Sequence, residues 1–209
     1  MLIKHFASLA LLAASAVTGR SVLAAPDGPA DTDPSAVMAG RYAVEPVHTR
    51  VQFTISHMGF TNWYGDLTGA TGSLVLDPKN PASSKLEIAL PLASVTTTNA
   101  KLDEELRSPQ WLDATGHPTI RFVSTSIVRN GPRAATVTGD LTFHGVTRPV
   151  TLKATFNGAG TDPIAKAYTA GFDATTTIRR SDFGVTTYVP LIGDAVDVRI
   201  SAAFVTAPN

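Results

Sequence analysis

Between Tyr42 and Phe204 apolar and polar residues alternate along the chain in short runs. In Val51-Gln52-Phe53-Thr54-Ile55-Ser56-His57 the odd positions are apolar apart from His57. Leu86, Ile88, Leu90 and Leu92 repeat the pattern, as do Ile120 with Phe122, and Val137 with Gly139, Leu141 and Phe143. Val150, Leu152, Ala154 and Phe156 follow, then Ala170, Phe172 and Ala174. The last run is the longest: Val196, Val198, Ile200, Ala202 and Phe204 alternate with Asp197, Arg199 and Ser201. Period two puts successive side chains on opposite faces, so each run predicts a strand with one buried and one wet face.

Turn-forming residues separate the runs. Asp77-Pro78-Lys79-Asn80-Pro81, Asn130-Gly131-Pro132, His144-Gly145 and Asn157-Gly158 stand where tight connections are needed. Gly65, Gly69 and Gly72 punctuate an early strand pair, where missing side chains permit bends or bulges. One segment reads as a helix: Asn99 caps it, Asp103, Glu104 and Glu105 lie in its first turns, Leu102 and Leu106 share a face, and Pro109 stops it. About eight short strands with one helix predict an all-β sandwich or closed barrel, and periodicity alone does not choose between them.

The N-terminus adds a different element. Lys4 and His5 precede an apolar stretch from Phe6 to Val17, and Val22-Leu23-Ala24 has the small-residue pattern of a cleavage site. Residues 1–24 are read as a signal peptide, since a largely apolar stretch of twelve residues is too short for a helix that needs about 20 to span a bilayer. Residues 25–40, with Pro26, Pro29 and Pro34, are expected to form a flexible lead-in, followed by one domain over 41–206. Without Lys4 and Arg20 the balance is 15 basic against 17 acidic residues, which gives no reason to expect nucleic acid as a partner. The chain has no cysteine, so disulfides and a thiol nucleophile are excluded. Export without disulfides fits a bacterial periplasm, and no stable membrane insertion is expected after cleavage.

Signs of catalysis are sparse. His48, His57, His117 and His144 are scattered over different segments, with no His-Glu-x-x-His spacing. There is no Gly-x-Ser-x-Gly elbow and no glycine-rich loop opening a helix. The acidic pair Glu104 and Glu105 sits on a helix that reads as solvated. No cofactor, metal or catalytic residue is expected. His57 extends the apolar series of Val51, Phe53 and Ile55 and so points inward, either as a core histidine bonded to a carbonyl or as a polar group at the end of a cavity. Arg180 poses a similar choice, between an ion pair with Asp182 and contact with a ligand head group.

Taken together these segments resemble the YceI-like family of exported lipocalin-like barrels. The likeness runs from about Tyr42 to Phe204. It includes Tyr42-Ala43-Val44-Glu45-Pro46-Val47-His48, the inward His57 before Gly59, the turn from Asp77 to Pro81, and Leu106-Arg107-Ser108. Trp111-Leu112-Asp113, Pro118-Thr119-Ile120-Arg121-Phe122, Gly139-Asp140-Leu141-Thr142-Phe143-His144-Gly145 and Arg180-Ser181-Asp182-Phe183-Gly184 follow in order. The resemblance implies an all-β fold, an eight-stranded antiparallel lipocalin-like β-barrel with one short α-helix near the opening. It also implies a non-catalytic apolar tunnel for isoprenoid-type or fatty-acyl lipids. One departure stands out: where the family's helix carries an Arg-Asp-x-His-Leu run, this chain reads Leu102-Asp103-Glu104-Glu105-Leu106.

The residues expected to contact such a ligand are Phe53, Ile55 and His57; Leu86, Ile88 and Leu90; Phe122; Leu141 and Phe143; Leu152 and Phe156; Phe172; Arg180; and Val198, Ile200 and Phe204. Few polar atoms interrupt this face, which suits a hydrocarbon chain better than a compact polar substrate. The expected function is binding and carriage of a polyisoprenoid, quinone precursor or fatty-acyl lipid in the periplasm. A solid core without a cavity, a ligand-free stress-response or interaction module, and a histidine-based hydrolase or metalloenzyme stand as alternatives. A homodimer is left open.

Overall fold

A computed structural model of the chain describes residues 28–207. The signal peptide expected over residues 1–24 lies outside the described residues. The strands are Gly40–His57 (β1), Thr61–Leu67 (β2), Thr71–Leu76 (β3), Lys85–Pro91 (β4), Thr119–Arg129 (β5), Ala134–Phe143 (β6), Val146–Thr161 (β7), Tyr168–Arg179 (β8) and Ile192–Thr206 (β9). Every neighbouring pair is antiparallel, and β1 returns to pair with β9, so the sheet closes on itself. The segments β2 and β3 lie end to end along the same edge of β1, opposite Val51–His57 and Gly40–Ala43 respectively. They form one stave, and the barrel has eight. Gly69, at φ 71°, occupies the break between them.

The β1–β9 pairing closes the sheet and selects the barrel over the sandwich, leaving only the outer edge of β2 for the β4–β5 connection to cover. The alternation read from the sequence is kept: Val196, Val198 and Ile200 turn inward while Asp197, Arg199 and Ser201 are exposed. Apolar inside and polar outside is the reverse of a barrel wall that faces lipid.

One end of the barrel, the helix end, holds the β1–β2 and β6–β7 turns, the β4–β5 connection and the β8–β9 loop. His144 and Gly145 make the β6–β7 turn with φ of 49° and 75°, the two positive values that a two-residue hairpin turn requires. The β4–β5 connection carries the only α-helix among the described residues, Ala100–Arg107 (α1). The Asn99 side chain caps it by accepting from the Leu102 N–H at 3.2 Å, and it ends at Ser108 before Pro109. Asp103 departs from the solvated helix expected. It is buried, accepting from the Thr97 N–H at 2.6 Å, the Thr97 hydroxyl at 2.7 Å and the Thr96 hydroxyl at 3.1 Å. Thr96 in turn exchanges backbone bonds with Asp66 of β2, so this carboxylate ties α1 to the barrel wall.

Two further expectations are corrected at the opposite, N-terminal end. Asn157-Gly158 is not a turn: it lies within β7 at a bulge where the register with β8 shifts, and the chain reverses later, around Asp162. The glycines serve a close approach instead. A Cβ on Gly158 would sit 2.9 Å from the Ala30 Cβ, and one on Gly160 would sit 2.7 Å from the Pro29 carbonyl oxygen. The described part of the lead-in, residues 28–39, uses that space. Asp31 exchanges backbone hydrogen bonds with Ala159, and Val37 is buried in the core, so these residues pack where a flexible segment was expected.

Candidate ligand-binding site

The lumen is hollow. A cavity of about 600 Å³ runs from Pro34, Val37 and Arg133 at the N-terminal end to His57, Met58 and Tyr188 at the helix end. Its wall is almost entirely carbon. The structure brings to this wall every one of the residues assigned to the inward faces, from Phe53, Ile55 and His57 on β1 to Val198, Ile200 and Phe204 on β9, together with Arg180. The strand register places them side by side. Phe53 faces Val198 and Val51 faces Ile200 across β1 and β9, while Phe156 faces Phe172 across β7 and β8 with ring centroids 5.5 Å apart.

Two glycines make room for the widest of these side chains. The Phe53 ring lies over its cross-strand partner Gly65, filling the volume a Cβ there would take. The Phe122 ring covers Gly139 in the same way, with its Cζ 2.5 Å from the ideal Cβ position. The rings therefore lie flat along the wall and leave the axis open.

Most polar groups at the wall already have partners. The Thr49 hydroxyl accepts from the Ala203 N–H at 3.0 Å and donates to the Ala203 carbonyl at 3.3 Å. The Trp111 indole N–H donates to Glu105 at 3.2 Å, at the rim beside α1. Arg180 is buried and forms no pair with Asp182, which corrects the ion-pair reading. Its guanidinium donates instead to four carbonyls: Gly193 at 2.8 Å, Val185 at 3.0 Å, Thr187 at 2.8 Å and Ile192 at 3.0 Å. It is the neighbouring Arg179 that pairs with an acid, Asp194, at 3.3 Å. Burial draws the Arg180 pKa below its ordinary value, with the charge of Asp194 opposing. With four of five guanidinium donors engaged, Arg180 is first the clasp that holds the Arg180–Gly193 loop in shape.

His57 is the exception. Its ring lies 6.4 Å from Trp63, edge to face, and makes no hydrogen bond to the described residues. It is a polar group facing an apolar lumen, not a core histidine tied to a carbonyl.

The other histidines do not assemble a metal centre. His48 is exposed and pairs with Glu45 at 2.7 Å, while the rings of His117 and His144 lie tilted against each other with centroids 4.8 Å apart, and His144 meets the Phe183 carbonyl at 3.1 Å. Among the described residues no cluster of three or more metal-ligating side chains occurs.

Sequence reasoning missed part of the wall. Trp63 and Leu67 on β2, Leu74 and Leu76 on β3, Trp111 and Leu112 after α1, and Tyr188 before β9 all line the cavity. Trp63, Gly65 and Leu67 do alternate, but the period extends over too few residues before the break at Gly69. The loop residues follow no period at all.

The YceI-like domain is recognised over residues 42–204, the whole barrel from β1 to β9. The chain belongs to the YceI-like family. Among its relatives, a YceI-like UPF0312 protein of Pseudomonas putida is 40% identical over 187 residues, covering 88% of each chain. A UPF0312 protein of Pseudomonas syringae pv. tomato is 41% identical over 150 residues, 71% of this chain and 78% of its own. Of solved structures, BcnA of Burkholderia cenocepacia superposes with a TM-score of 0.69 at 24% identity, covering 77% of this chain and 98% of its own. A polyisoprenoid-binding domain of Saccharophagus degradans superposes with a TM-score of 0.62 at 11% identity, over 79% of this chain and 98% of its own. At these identities the two structures establish a shared fold.

Proposed function

We propose that this YceI-like protein holds an elongated apolar lipid in its lumen, a polyisoprenoid, quinone precursor or fatty-acyl chain, and carries it through the periplasm without chemical change. The observation that carries the proposal is the lumen itself: an open, carbon-lined volume of about 600 Å³ running the length of the barrel. That lies within the ~300–1,000 Å³ typical of small-molecule sites, but the wall lacks the convergent polar groups that orient a compact substrate. A chain needs none. Burial contributes roughly 0.8 kcal/mol per methylene, so about ten enclosed carbons give on the order of 8 kcal/mol before the losses of association. The same arithmetic makes the site nearly blind to which hydrocarbon fills it. The name of the Saccharophagus domain, polyisoprenoid-binding, supports the ligand class. The apolar stretch Phe6–Val17 supports export, with which the absence of cysteine is compatible.

Native mass spectrometry of the purified protein, followed by organic extraction, tests the proposal. A co-purifying hydrocarbon-chain lipid is expected, and Ile200→Glu, which puts a carboxylate beside Val51 and Ala174, should abolish its retention in protein that still folds. Repeated absence of any lipid after expression in several hosts would sink the reading.

A further inference from the structure

At the helix end the β1–β2 turn and the β8–β9 loop form one surface, joined by the Met58 N–H donating to the Leu191 carbonyl at 2.8 Å. This surface is apolar and uncovered: Phe60 is 85% exposed, Tyr188 63%, Leu191 60% and Met58 49%. Met58, Phe60, Pro190 and Leu191 line a groove there, and Met58 and Tyr188 also line the lumen, so an unbroken apolar track leads from the outside into the cavity. The parts of the two segments that carry these residues are free of charge: from Gln52 to Gly65 and from Phe183 to Gly193 there is no Lys, Arg, Asp or Glu, and the exposed charged residues of this end, such as Lys101 and Glu104 on α1 and Asp182 at the start of the β8–β9 loop, lie outside them.

We propose that this mouth docks on a lipid bilayer, so that cargo passes between membrane and lumen without crossing water. The proposal rests on the lipid-holding reading above and adds the surface through which exchange takes place. Three observations favour a bilayer over a protein. First, a large side chain carries roughly 150–250 Å² in all, so these four, exposed to between 49% and 85%, offer on the order of 500 Å², short of the about 800 Å² per partner of a stable protein interface. Second, the absence of charge removes the groups that fix register between proteins. A tyrosine and a phenylalanine beside aliphatic side chains suit instead the boundary of headgroups and acyl chains. Third, the opposite end of the barrel differs. Its exposed apolar residues Met38, Val47, Val128 and Ile164 are interspersed along the chain with Arg41, Glu45, His48, Arg129, Asp162 and Lys166, and exposed Arg129 and Arg133 line the lumen there.

The chain has no cysteine, so a single introduced one takes an environment-sensitive fluorophore at a chosen site. Full-length protein labelled at Phe60→Cys or Leu191→Cys should brighten several-fold and shift to the blue on addition of phosphatidylcholine vesicles, with little response to added salt. Protein labelled at Ile164→Cys, at the other end, should not respond, and this label reports any vesicle binding that bypasses the mouth. A second measurement follows a fluorescent fatty acid leaving the loaded protein for vesicles. The wild-type rate should rise with vesicle concentration. Phe60→Ser with Leu191→Ser, neither of which lines the lumen, should load the fatty acid as before yet transfer it at least about tenfold more slowly.

Equal responses from the two ends, or no response at the mouth, would overturn the docking while leaving a loaded lumen intact. A doubled mass by sedimentation that Phe60→Ser with Leu191→Ser abolishes would also overturn it, by placing a second copy on the patch. Failure of the wild type to take up the fatty acid would remove the lipid-holding reading and the exchange surface with it.

Discussion

The guanidinium of Arg180 stands 5.5 Å from the ring centroid of Trp111, linking the segment that follows α1 to the loop that precedes β9. That contact adds a cation–π attraction to four bonds with carbonyls, and the group is buried. Arg180→Ala orphans four carbonyls at once. It is expected to destabilise the barrel by roughly 3 kcal/mol or more, a fall in Tm of about 6–12 °C for a domain of this size. Arg180→Lys keeps the charge but not the planar fork, and should recover only a minor part. Thermal and urea unfolding of the two variants measure this, and a Lys variant as stable as wild type would contradict the account.

The ring of Phe53 over Gly65 yields a test of how the lumen keeps its bore. Gly65→Ala forces the ring inward, at an expected cost of about 1–3 kcal/mol from overpacking. Retention of long hydrocarbon chains should drop with it. Truncating the ring by Phe53→Ala in the same chain removes the clash, so the two changes should combine to much less than the sum of their separate effects. Additive effects in urea unfolding would show that the two positions do not compete for space.

Tyr42 links pH to stability. It is fully buried and donates to the Met38 carbonyl at 2.5 Å, and burial, with Tyr168 beside it, pushes its pKa from 10.0 up to about 12. A folded-state pKa above the unfolded one favours folding fully below pH 10 and loses that contribution as pH rises toward 12. Wild-type stability should therefore fall steeply over this window. Tyr42→Phe, weaker at neutral pH by about 1 kcal/mol for the lost hydrogen bond, should show a flatter alkaline profile. Parallel profiles for the two proteins would be inconsistent with this role.

Asp103 produces the opposite dependence at low pH. Burial pushes its pKa up, but the hydrogen bonds from Thr97 and Thr96 outweigh it, and the net shift is below the usual value of 3.8. A depressed carboxylate contributes stability above its unfolded pKa and loses it as pH falls through the folded one. Asp103→Asn should loosen α1 near neutrality by about 1–2 kcal/mol. The difference from wild type should shrink as the pH drops below that of an ordinary carboxylate. Hydrogen exchange in Ala100–Arg107 reports it directly, and a pH-independent difference would contradict the assignment.

How far the barrel could be read from the chain depends on what each segment records. In β9 five alternating apolar positions specify both the strand and its inward face, and the structure keeps both. In β2 and β3 the alternation is cut at Gly69, so the stave of the wall that carries Trp63, Leu67, Leu74 and Leu76 passes unnoticed. Asn157-Gly158 has turn chemistry but serves the approach of Ala30, a long-range contact that local propensity does not carry. The partners of Arg180 are backbone carbonyls, which have no identity in a sequence, whereas Asp182 two residues on is conspicuous and uninvolved. Alternation also marks which face is inward without saying whether the inside is filled. That depends on barrel circumference and on where glycines let aromatic rings lie flat.

The stave made of β2 and β3 has one more implication. Past Pro91, where β4 ends, the side of β2 away from β1 has no neighbouring strand; the Leu92–Pro118 segment fills the gap, joined by the exchange of Asp66 with Thr96 and by the Thr68 N–H donating to the Ser94 hydroxyl at 3.1 Å. At this seam the lumen is bounded by side chains of α1 and its flanks, including Leu102, Leu106 and Leu112, and not by a hydrogen-bonded ladder. Substitutions there can widen, narrow or recharge the entrance while the closed sheet stays intact. Cargo preference in a barrel built this way is free to diverge faster than the barrel itself.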